Sequence, residues 1–88
     1  MMFPVLRLRF ALSKEGYEVI GCGEALWSVW GGFNHTAHFA DIERTKDGLL
    51  LTTYGTDDGS TQNIRRVAEP YAKTDHADSY FSRVKRAA

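Results

Sequence analysis

His35-x-x-His38, with Asp41 three residues further on, is the arrangement in this chain closest to a ligand set for a metal ion. On a helix, positions i and i+3 share a face, but this stretch reads as a loop that runs into a strand. Structural zinc needs four ligands in tight pairs, and Cys22 and His76 are too scattered to supply the second pair. We expect no metal and no cofactor.

Nucleophilic chemistry meets a similar obstacle. Cys22 stands between Gly21 and Gly23, with no motif that would lower a thiol pKa or place a base beside it, so it reads as a small packed residue. Ser60 and Thr61 lack a nucleophile-elbow motif and suit the capping of a helix. Asp57-Asp58-Gly59 opens like a calcium loop but lacks the later oxygen ligands and the closing glutamate. The helix start at Ser60-Thr61, with Arg65 and Arg66 one turn along, would attract phosphate, but the two aspartates oppose an anion there. A small enzyme that uses Cys22 or the histidines is the weakest of three functional readings.

The other two use surfaces. Arg7 and Arg9 on one strand face, with Trp27, Trp30 and Phe33 as stacking platforms and Arg65 and Arg66 as further cations, would suit a single-stranded nucleic-acid binder. Against it stand a balanced charge and the lack of an RNP, helix-turn-helix or zinc-finger pattern. The favoured reading is a non-enzymatic module or inhibitor that binds another protein or itself. Trp27, Trp30 and Phe33 exceed what a thin core needs, and exposed tryptophan beside arginine (Arg7, Arg9) is the usual make-up of an interface anchor. Size alone adds one suggestion: a blocker of a larger machine, as with the tiny proteins that mobile elements direct against host nuclease complexes.

These residues need elements to hold them. Phe3 to Leu12 alternates, with Leu6, Leu8, Phe10 and Leu12 on one side and Val5, Arg7, Arg9 and Ala11 on the other, which predicts a first strand. Ser13 to Gly16 then forms a hairpin turn and Tyr17 to Ile20 the antiparallel partner. Glu24 to Phe33 suits an irregular, Trp-rich strand-like segment better than a short helix, and Phe33 to Thr36 a loop. Ala37 to Arg44 and Leu49 to Tyr54 predict a second hairpin around Thr45-Lys46-Asp47-Gly48, with a loop of three or four residues. The Leu49-Leu50-Leu51 run calls for a strand covered on both faces, or one with a face in an interface.

Ile64, Val67, Ala68 and Tyr71 recur at helical spacing, and Pro70 ends that helix near Glu69. Thr74 or Asp75 would cap a last helix carrying Ala77, Tyr80, Phe81 and Val84 on its stripe, with Arg83, Lys85 and Arg86 at its C-terminal end. The expected fold is therefore α+β: a small antiparallel sheet followed by two short C-terminal helices packed on one face.

At 88 residues this reads as one domain with a single thin core. Zero net charge argues against strong overall steering to DNA or membrane, but residues 1–59 hold five basic and eight acidic side chains and residues 60–88 six and three, an asymmetry that suggests a charge dipole. One cysteine excludes an internal disulfide, and no apolar run of membrane-spanning length exists. The first residues do not resemble a secretory signal, so the expected compartment is the cytoplasm.

Overall fold

The structure, a computed structural model, describes residues 3–81, with Phe3 described by its backbone alone. Its first element is helical. Phe3–Lys14 forms helix α1, and the strand expected over Phe3 to Leu12 does not exist. The alternation that suggested it also contains Val5, Leu8 and Leu12 at i, i+3, i+7, and these three are the buried ones. Leucine, arginine, alanine and lysine are helix formers, and Pro4 sits in the first turn, where its missing N–H costs nothing. Gly16, read as a hairpin glycine, closes the helix instead. With φ of 91° it lets its own N–H reach the Ser13 carbonyl and the Tyr17 N–H reach that of Leu12, the two bonds of a Schellman motif.

Four strands follow: β1 (Glu18–Gly21), β2 (Leu26–Gly31), β3 (Ala37–Thr45) and β4 (Gly48–Tyr54). Each pairs antiparallel with the next, so β1 lies beside β2 rather than beside the N-terminal segment. The Trp-rich segment is a regular strand that turns Trp27 and Val29 inward to the core. The β3–β4 hairpin falls where expected, with Thr45 paired to Gly48 across a turn of only two residues, Lys46 and Asp47.

Helix α2 (Gly59–Ala68) is capped by Asp58, whose carboxylate accepts from the N–H groups of Ser60 and Thr61, and it ends at Glu69 just before Pro70. The second C-terminal helix does not start at Thr74 or Asp75, because those residues lie in β5 (Lys73–Ala77), which runs parallel to β4; Tyr80 and Phe81 of the helix's predicted stripe are helical at the end of the described residues. Of the same stripe, Ala77 lies in β5, while Val84 and the basic residues Arg83, Lys85 and Arg86 lie outside the described residues.

The sheet is thus mixed and five-stranded, in the order β1-β2-β3-β4-β5, with helix before strands and a strand after the second helix. α1 and α2 lie against one face. Leu8, Leu12, Ile64 and Ala68 from the helices meet Val19, Trp27, Val29, Ala40, Ile42 and Leu51 from the strands. β4 is an interior strand with Leu49 and Leu51 toward this core and Leu50 half-buried on the other side, where no helix lies among the described residues.

Gly31 marks the tightest point. A Cβ there would lie 2.7 Å from the Phe39 ring and 2.9 Å from the Tyr17 ring, and those rings already stack edge-to-face. Gly31→Ala is therefore expected to cost about 1–3 kcal/mol by overpacking, read as a lower urea midpoint.

Candidate functional site

The strands turn one set of polar and aromatic side chains to the sheet face away from the helices, and β3 supplies its centre. His38 and Asp41 are three apart, so a regular strand would send them to opposite faces. A bulge prevents this. Trp30 pairs with His38 but Val29 with Ala40, so Phe39 is the extra residue and the strand's facing switches there. His38 Nε2 then lies 2.8 Å from Asp41 Oδ1, and the Tyr54 hydroxyl donates to Asp41 Oδ2 at 2.6 Å. Asp41 is buried, and burial together with the neighbouring carboxylate pushes the Tyr54 phenol above its ordinary value.

The Trp30 ring stacks on His38 with centroids 4.9 Å apart, and its N–H donates to Ser28 Oγ at 2.8 Å. A histidine oriented by a carboxylate is half of a catalytic arrangement, so the nucleophile decides the matter. Cys22, the nearest in kind, hydrogen-bonds to Ser28 Oγ (3.3 Å) and the Ile20 carbonyl (3.6 Å), and neither can take its proton. The Trp30 indole occupies the position beside the His38 ring. These contacts form a partly buried polar network across β2, β3 and β4, with the Tyr54–Asp41 bond as its buried part.

His35 is not part of it. It sits with Phe33 in a tight turn (Phe33–His35) between β2 and β3, exposed, with left-handed backbone at Asn34 and His35. Among the described residues, no group of three or more His, Cys, Asp or Glu side chains is placed to hold a metal ion.

The basic residues separate. Arg65 turns inward: its guanidinium donates to Asp57 Oδ1 (2.6 Å) and Thr53 Oγ1 (2.9 Å), and it holds the Asp57 carboxyl below the ordinary range. Arg66 is exposed and bonds Asn63. The four arginines of the nucleic-acid reading thus share no single face as cations free for phosphate.

The proposed anchors separate too. Trp27 is core, only 8% exposed, because odd spacing along β2 sends it to the helix side and Trp30 to the other. Trp30 is half-buried in the network just described. Phe33 is 86% exposed at its turn. Arg7 and Arg9 are exposed on α1, where the structure adds two residues that the strand reading had placed in the core: Leu6, 46% exposed, and Phe10, 73% exposed.

Leu6 and Phe10 are one turn apart on the outer face of α1. A shallow depression of about 290 Å³ lies to one side of Phe10, lined by Leu6, Arg7, Ala11, Lys14 and Tyr71. Another, of about 300 Å³, lies to the other side with Arg9 and Ser13. The sequence signal for this face was present: once Val5, Leu8 and Leu12 are taken as the buried stripe, Leu6 and Phe10 must point outward. Among the described residues, no helix is long and apolar enough to cross a membrane. Comparison with protein-family models, curated proteins and solved structures finds no match for the chain.

Proposed function

We propose that this chain is a non-enzymatic interaction domain that binds another protein through the outer face of α1. The observation that carries this reading is Phe10, a large apolar ring 73% exposed on a helix whose opposite side is sealed into the core. Leu6 extends it into a patch, and arginines beside it complete the composition of an interface anchor. The exposed apolar side chains include Ile20, Leu26, Phe33, Tyr80 and Phe81 as well, and the pair on α1 is the one flanked by arginines on its own helix, whereas Trp27 is core. Phe33 offers a single ring without such surroundings and ranks second.

A small body that covers a partner's surface acts by occlusion, so inhibition of the partner is the effect to look for. The nucleic-acid alternative keeps Arg7 and Arg9 but loses Arg65 to Asp57.

Capture experiments with the full chain test the proposal. Phe10→Ala is expected to weaken retention of any partner by about tenfold or more, as truncation of a central aromatic anchor does. It leaves the melting transition nearly unchanged, because the ring is exposed. Amide exchange in α1 should slow in the complex. Partners retained by Phe10→Ala and by Leu6→Ala, with α1 unprotected, would move the site elsewhere.

A further inference from the structure

Resting on the α1 reading, we infer that the partner presents an acidic, amphipathic segment that lies along α1 and seats an apolar side chain in the depression between Phe10 and Tyr71. Charge carries the argument. α1 bears Arg7, Arg9 and Lys14 and no acidic residue, and all three cations rim the exposed Leu6–Phe10 pair. The cations therefore act together with the apolar pair, and their complement is a greasy stripe flanked by carboxylates.

A second copy is the wrong occupant. Two α1 faces brought together would set three cations of each copy against three of the other, and like-charge juxtaposition of that kind suppresses association. The relief argues for side chains over lipid: the Phe10 ridge has a shallow depression on each side, which a projecting side chain can enter. Single-stranded nucleic acid would use Phe10 as a stacking platform, but the aliphatic Leu6 beside it offers bases no ring.

The probe is a fluorescein-labelled designed peptide with leucine and phenylalanine at i, i+4 and glutamates around them, compared with a lysine-for-glutamate counterpart. Anisotropy titration of the full chain is expected to show saturable binding of the glutamate peptide, weakened by added salt. The double variant Arg7→Glu/Lys14→Glu should bind that peptide at least about tenfold more weakly and acquire affinity for the lysine peptide. An unchanged melting curve would establish that this variant folds, as expected for exposed positions.

Equal binding of the two peptides, or binding of neither, would overturn the inference. So would binding of phosphatidylserine vesicles or of an oligonucleotide that Arg7→Glu/Lys14→Glu abolishes while peptide binding is absent. The acidic-partner inference fails alone if the peptides do not bind but Phe10→Ala still releases a native protein partner. Both readings fail if Phe10→Ala releases nothing.

Discussion

Leu8→Ala is expected to lower the stability of this protein by about 2–5 kcal/mol, and Leu6→Ala to move it by less than about 1 kcal/mol. Leu8 is fully buried among the helices and strands, so truncation removes its packing and leaves a cavity. Leu6 sits two residues earlier and is nearly half exposed, so there is little burial to lose. A domain of this length has a total stability of roughly 4–13 kcal/mol, and the Leu8 loss is a large share of it. Leu8→Asp, which also buries a charge, should leave no cooperative melt.

The contrast between neighbours is the informative part. In a strand, residues 6, 8 and 10 would share one face and respond alike. In a helix, residue 8 is buried and residues 6 and 10 are not. Urea unfolding of Leu6→Ala, Leu8→Ala and Phe10→Ala separates the two, and similar losses at all three would contradict a helical N-terminus.

Asp41→Ala is expected to cost about 2–5 kcal/mol, for a different reason. The carboxylate is buried and serves the Tyr54 hydroxyl and the His38 ring at once. Removing it leaves the buried Tyr54 hydroxyl unsatisfied, at about 1–3 kcal/mol, and takes a charged acceptor from the half-buried His38 ring, a bond worth about 1.5–3 kcal/mol. Tyr54→Phe, which deletes one donor, should cost about 1–3 kcal/mol by itself. Because the two residues share a 2.6 Å bond, the double variant Asp41→Ala/Tyr54→Phe should lose less than the sum of the singles, by about 0.5–3 kcal/mol. Strict additivity in that cycle would mean that the network does not couple β3 to β4.

Several elements were legible without coordinates. The β3–β4 hairpin showed in two strand-like runs around Thr45-Lys46-Asp47-Gly48, and α2 in the stripe Ile64, Val67, Ala68 with its stop at Pro70. Both signals are local: a turn glycine and a period. The cap is not Ser60 or Thr61 but Asp58, two or three residues earlier, whose carboxylate accepts from the backbone N–H groups of those two residues. Two elements were misread because local pattern is ambiguous over short spans. Leu-Arg-Leu-Arg-Phe satisfies period two, yet the same window holds a helical stripe and a Pro-to-Gly frame, and residue preference tips it to α1. Lys73 to Ala77 has no apolar alternation. It becomes a strand because β4 offers it a row of backbone groups to pair with.

The chemistry divides in the same way. The residue types themselves determined that no internal disulfide can form and that more large apolar side chains exist than a small interior consumes. Where that excess goes was decided only in three dimensions. Trp27 became core and Phe10 surface because burial depends on what packs against each face, and that packing comes from residues distant in the chain. The His38–Asp41 contact depends on an extra residue at Phe39, visible only once β2 is laid beside β3. Spacing along a chain sets which side chains can share a face; the partner strand and the covering helix select which of them do.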